Sequence, residues 1–503
     1  MKHLLIGILF SFFALSSVFA DYNTPGTGKS WTLDSLVAFS GGSVTFSSGS
    51  YFLNDDTLII SRNDTLKIFT NAIFKFPNLG LLYVKGTLLI NPPDSVKFTA
   101  ADTTQKYKGI VLDSAYSTSL KKLIFEHANS IRILDCSPLI DNCKIRNNSY
   151  YASGMQSGSI SLFRSNAVIT NCLITRSVRA AIVGGANISN SPTIMYNTLI
   201  DNNTSNYNTA QINLGAGGTS PIIISNNYIL RSSTNSGAIA FLPVGTISSL
   251  IIENNVIKNN RYGIALLAGG INAYINNNVI DSNSTQGNPA LGGSGLNFAG
   301  AWSTSSVIIT RNKIRWNLWG ITIQNTSKPN IGNLGNSDTT DVGMNLIYGN
   351  GNSGKIYDVY NNTPDSIKAE NNFWNTTNLD SIEAHIFHKV DSTTLGVVDF
   401  LPIGGPTGVM GNPVVANNFE FLDIYPNPFN PEVMIKFRIA NDGVTRIKIY
   451  DLLGREIYTI ANEFLKAGEY ERNWISSGLP SSVYIVRLET TGNSYAKRIA
   501  IVK

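Results

Sequence analysis

Ile224-Ser-Asn-Asn227-Tyr-Ile229, Ile252-Glu-Asn-Asn255-Val-Ile257, Ile275-Asn-Asn-Asn278-Val-Ile280 and Ile309-Thr-Arg-Asn312-Lys-Ile314 are copies of one short pattern. Each runs aliphatic, two polar residues, Asn, any residue, aliphatic. Looser copies lie at Ile194–Leu199, Val342–Ile347 and Ala369–Trp374, and two earlier ones, Ile140–Ile145 and Ile169–Ile174, carry Cys in the Asn place. The column reads Cys143, Cys172, Asn197, Asn227, Asn255, Asn278, Asn312, Asn345, Asn372, in steps of 23 to 34 residues. Such a period belongs to repeat architectures, not to one globular core. Alternation within each copy marks strands a few residues long. Many copies run on to Gly-Ile, as at Tyr262-Gly-Ile264 and Trp319-Gly-Ile321, which starts another strand.

Physics favours a parallel β-helix for this pattern. Short strands stack on the same strands of neighbouring turns about 4.8 Å apart, so inward aliphatic side chains pile like on like. An Asn at a fixed bend hydrogen-bonds to the Asn above and below, satisfying groups the bend leaves unpaired. Cys fits the same place because it is small and stable when buried. Helical repeats share the period but need a 3.6-residue apolar stripe, and Asn, Gly and β-branched residues dominate here instead. In this register Cys143 and Cys172 share one column with side chains pointing the same way, a poor geometry for a disulfide. Three free thiols are expected, Cys136 included.

Upstream, Thr57–Ile60, Thr65–Ile68, Ala72–Phe76, Leu81–Val84, Thr87–Ile90 and Ser95–Thr99 are strands at regular spacing. They read as the first turns of the same solenoid, with the region before Trp31 as a leader and a cap over the open sheet edge. Residues 1–20 read as a signal peptide: Lys2 and His3, an apolar run from Leu4 to Leu15, then Val18-Phe19-Ala20 as cleavage site. No later stretch is long and apolar enough to span a bilayer. The 503 residues carry only 14% charged residues and a net charge of +5, with no basic runs, which argues against nucleic acid as a partner. The odd cysteine count excludes a disulfide framework.

The stretch from Cys136 to Pro402 resembles the right-handed β-helix repeat proteins of bacteria, the superfamily that includes the pectin lyases. Glu370-Asn-Asn-Phe-Trp374, a short helix and Gly396-Val-Val-Asp-Phe-Leu-Pro402 look like the terminal coil of secreted members, with Asn375 where those commonly have Gly. After a Pro/Gly linker at 403–420 the Asn repeats stop and alternating strands follow from Val433, as in a small Ig-like β-sandwich. Residues 421–503 resemble the C-terminal sorting domain of type IX secretion substrates. The matching residues are Tyr425-Pro426-Asn427-Pro428 through Pro431, then Tyr450-Asp451-Leu-Leu-Gly454-Arg455-Glu456, Gly468, Trp474, Tyr484 and Lys497. Ser482 departs mildly from the usual Gly. The resemblance implies an all-β chain, with residues 21–402 as β-helix (21–135 leader, cap and first coils; 136–402 Asn coils), exported through the periplasm by type IX machinery to the surface or beyond.

Catalysis is harder to place. A lyase of this superfamily needs clustered carboxylates on Ca²⁺ and a base, and a hydrolase needs paired carboxylates. Asp141, Asp201, Glu253 and Asp281 fall on different coils. His385 and His388, beside Glu383, have a spacing that shares a helix face, but lack further ligands. Asp338, Asp341 and Asp358 would have to converge for a Ca²⁺ site, so no cofactor is expected. Tyr262, Trp302, Trp316 and Trp319, with Arg261, Arg311 and Arg315, read as a groove where sugar rings stack and acidic groups pair. A non-catalytic carbohydrate-binding or interaction protein is therefore expected. A lyase or hydrolase on an acidic polysaccharide, and a structural stalk, are the alternatives.

Overall fold

The computed structural model describes residues 21–149, 158–245, 247–300, 305–404, 422–425, 429–439, 442–451, 455–466, 468–476, 478–490 and 493–501. The expected signal peptide and most of the linker lie outside them. The chain divides into two units, residues 1–405 and 406–503.

The first unit is a parallel β-helix. Each full coil contributes one strand in turn to sheets A, B and C, which hold 14, 11 and 13 described strands. Register stacks like residues. On sheet A the inward row runs Leu82, Ile110, Ile131, Ile160, Ile182, Ile212, Ile239, Ile264, Leu296, Ile321, Val359, Ile386. On sheet B, Ile140, Ile169, Ile194, Ile224, Ile252, Ile275 and Ile309 do the same. All of these are buried. β-branched side chains are stiff and fit a pleated surface, so the sequence period becomes a column of close contacts.

The solenoid starts earlier than expected. Tyr22–Asn23 pairs with the Thr57–Ile60 strand, and Ser30–Trp31 with Thr65–Ile68, so the supposed leader is already coil. Strands of two residues carry no alternation to read. The cap is α1 (Leu33–Phe39), whose N-terminus is closed by Thr32 and Ser35 in a capping box, with Leu33 and Leu36 buried. At the other end α2 (Leu379–Glu383) covers the last coil, N-capped by Asn378, with Ile382 in the core.

The second unit is a β-sandwich with its own core. Leu422–Tyr425, Glu432–Ile439 and Gly468–Ile475 form one antiparallel sheet; Gly443–Tyr450, Glu456–Leu465, Ser482–Thr490 and Asn493–Ile501 form the other. Tyr425 ends the first strand opposite Met434, and Lys497 stands opposite Val486. Asp451 accepts from Arg455 at 2.7 Å, and Tyr484 is buried with its hydroxyl donating to Pro480 O. Pro426, Asn427, Pro428 and Gly454 lie outside the described residues.

Candidate functional site

The corner between sheets B and C is built from the Asn column. Each residue before the column, such as Asn226, Asn254 and Asn277, has positive φ, the left-handed bend that Asn tolerates best after Gly. The bend turns the next side chain inward. From Asn197 through Asn227, Asn255, Asn278 and Asn312 to Asn345, each backbone N–H donates to the following Asn Oδ1, ending on Asn372, at 2.9–3.0 Å. Each Nδ2 donates to the same oxygen and also back to a sheet-B carbonyl, as Asn255 does to Ile224 O at 2.8 Å. The cysteines reproduce both roles: Cys172 Sγ accepts Cys143 N–H at 3.4 Å and donates toward Ile140 O. All three cysteines are free and buried, and burial pushes the Cys143 thiol well above its usual pKa.

A second column, missed in the sequence, occupies the corner between sheets C and A. Asn260, Asn283 and Asn317 lead to Asn350, each N–H donating to the next Oδ1 at 2.9–3.2 Å. Asn202 reaches Asn260 through Gln211, which fills the coil that has Ser232 at the equivalent place. The signal was an Asn five residues after the first column, as in Asn255 and Asn260. The column ends on Asp358, whose Oδ1 accepts from both N and Nδ2 of Asn350 while Oδ2 faces His385 Nδ1 at 3.3 Å.

Loops leaving the second corner wall off a cleft on the outer face of sheet A, with a volume of about 490 Å³. Its floor is the outward row Ala265, Asn297, Thr322, Tyr360 on four successive coils. Trp319 and Tyr262 flank it, and the 289–292 loop forms a wall. Trp319 packs against Tyr357 and Tyr360 with centroids at 4.7 and 5.0 Å, and its Nε1 donates to Pro289 O. Tyr262 lies over Ala210, Ala240 and Ala265. Its ring fills the place where a Cβ on Gly237 would sit, so only Gly serves there. Burial pushes the Tyr262 phenol up to about 12, slightly opposed by Arg261.

The expected groove is therefore divided. Arg261, Tyr262 and Trp319 meet in the cleft, but Arg261 is spent on structure, donating to Leu291 O, Asn208 Oδ1 and Asn235 O. Trp316 and Arg315 lie across the corner, because the chain bends at Trp316 itself, whose φ is positive, before it reaches Trp319. There Arg315 pairs with buried Asp281, bonds Tyr348 and stacks on the half-exposed Trp316. Arg311 sits at the other corner, with positive φ and its side chain against Thr310. Trp302 lies outside the described residues.

The His pair is corrected too. α2 ends at Glu383, so neither imidazole rides on a helix. His385 faces Asp358, whereas His388 is buried, its Nδ1 accepting Val398 N–H and its Nε2 against Glu383 at 2.5 Å. Asp338 accepts from Thr340, and Asp341 from Asn330 and Asn336. Among the described residues no group of three or more His, Cys, Asp or Glu is arranged to hold a metal ion.

Residues 108–301 match the family described as right handed beta helix region, and residues 423–502 match the secretion system C-terminal sorting domain. The chain is thus a right-handed β-helix protein ending in a sorting domain of type IX secretion, which directs it to the cell surface or beyond. No curated protein and no solved structure matches it. No described helix is long and apolar enough to cross a membrane.

Proposed function

We propose that this protein passes through the periplasm to the cell exterior and there binds glycan in the sheet-A cleft without cleaving it. One observation carries the reading: aromatic faces of Trp319, Tyr262 and Tyr360 combine with Asn, Gln, Ser and Thr side chains, and among the described residues no carboxylate lines the cleft. Sugar rings present C–H faces to aromatic rings and hydroxyls to amides, so both halves of the lining have a use. Glycoside hydrolysis needs an acid and a base or nucleophile at the bond, and a lyase needs a base near the sugar. The concave lining supplies neither, and a solenoid face is a natural extended binding surface.

Affinity electrophoresis of the purified protein through gels containing different polysaccharides tests this. At least one glycan should retard migration, with Trp319→Ala losing about tenfold in affinity, the scale of one aromatic contact. No new reducing ends or unsaturated products should appear. Retardation by none of a broad panel, or turnover that survives repurification, would sink the reading.

A further inference from the structure

The chemistry of the cleft also bears on which glycan it suits. Among the described residues its lining holds three titratable side chains, Arg261, Tyr262 and Tyr360. The Arg261 guanidinium is turned into the wall, where four hydrogen bonds to Leu291 O, Asn208 Oδ1 and Asn235 O hold it. Burial raises both phenols, so neither ionises near neutral pH. Across the floor, Ser294 Oγ meets Thr322 Oγ1 at 3.0 Å, and Thr322 donates to Asn297 Oδ1 at 2.9 Å. That chain leaves Asn297 Nδ2 without a partner among the described residues. The side chains of Gln324 and Asn362, in register on adjacent strands, make no hydrogen bond among the described residues.

Free amides both donate and accept, which matches sugar hydroxyls, themselves donors and acceptors. A carboxylate or sulfate accepts only, and its desolvation is repaid chiefly by free cations or clustered N–H donors. The floor presents no free cation, and each of its amide N–H donors comes with a carbonyl oxygen that an anion would meet unfavourably. Four coils at strand spacing extend about 14 Å, longer than a single sugar ring.

Resting on the glycan-binding reading, we infer that the cleft selects an uncharged oligosaccharide, held along the solenoid axis by Asn297, Gln324 and Asn362 beside the Trp319 and Tyr360 rings. Arg261 positions the wall and does not serve as an anion ligand.

Isothermal titration of the full chain with short neutral oligosaccharides (cello-, manno- and xylo-series) and with oligogalacturonates of equal length provides the test. A neutral series should bind at least about tenfold tighter than the uronates. Affinity should change little with ionic strength and stay flat from mildly acid to mildly alkaline pH. Asn297→Ala and Gln324→Ala should each weaken binding several-fold, with circular dichroism confirming an intact fold. A preference for uronates that fades with salt overturns the uncharged assignment while leaving glycan binding in place. Binding of neither series, with Trp319→Ala also without effect, overturns both.

Discussion

The coils before Cys143 and those after it close the same corner with different chemistry. In register, the column runs Ala72, Val96, Leu123, Cys143, Cys172, Asn197 and onward through Asn. Early coils fill their interior with Phe74, Phe76, Phe98, Tyr107 and Phe125 in mutual contact, Phe76 and Tyr107 stacked at 4.6 Å. Later coils carry fewer interior rings, Phe241 and Phe298 among them, and close the corner with hydrogen-bonded amides. The first solution is bulk packing, with rings filling a wide interior; the second is directional, with each corner tied to its neighbour. The thiols stand between them, small enough for the first and able to donate and accept for the second. Directional corners also fix where a long loop can leave the coil without disturbing it, and the cleft is built on the amide half alone.

Exchanging chemistry across the boundary should be costly. Leu123→Asn places an amide where Val96 N–H already bonds Lys122 O. With lost packing added to an unsatisfied polar group, a loss of about 4 kcal/mol is expected in chemical denaturation. A cost under about 1 kcal/mol would show that the apolar corner is permissive.

The reverse exchange, Asn255→Leu, strips Asn227 of its Oδ1 acceptor and leaves Ile224 O without its amide donor. About 3 kcal/mol is expected, and hydrogen exchange should accelerate at Asn227 and Asn278. Unchanged exchange there would mean that the amides act independently.

Acid should separate the halves further. Burial raises the Glu126 pKa, but ion pairs with Lys97 and Arg146 outweigh it and hold the carboxyl below its usual 4.5. Its stabilisation is therefore present above the unfolded value and lost as pH falls through the folded one. Burial, then Lys106, depresses His127 below 6.5, so the unfolded chain takes up that proton first and stability declines as pH drops from about 6.5. Asn amides do not titrate. Between neutral pH and pH near 4, hydrogen-exchange protection should fall around residues 97–146 before it falls around 255–317; the opposite order would break the comparison.

Cys172→Asn should matter least. The amide would take the place of Sγ between Cys143 N–H and Ile140 O, extending the column by one rung. A stability change within about 1 kcal/mol is expected. A large loss would show that the preceding coil is too narrow for an amide.

Sequence made the first column readable because Ile-x-x-Asn-x-Ile keeps one spacing through every copy. The second column shares a spacing of five from the first, but Ser177 and Ser232 interrupt it and Gln211 enters from another strand, so periodicity alone did not expose it. The cleft was half legible. Trp316 and Trp319 are near neighbours in sequence, yet the bend at Trp316 sends them to different faces. Which arginines are free depends on carbonyls such as Leu291 O, contributed by a loop with no pattern. The region before Trp31 reads as leader in the sequence because two-residue strands borrow their order from the coil above them.

Both amide columns have a sense. Every bond from rung to rung runs toward the C-terminal end, so the solenoid has a head and a tail, like a polymer chain. The 23 residues from Asn255 to Asn277 form a unit that receives a bond on one side and gives one on the other. Duplicating that unit creates no mismatch. The Asp358 carboxylate is different: it accepts from Asn350 and has no side-chain amide proton to hand on. A gene that lengthens by copying coils can therefore grow from the middle, while the residue that ends the column stays where it is.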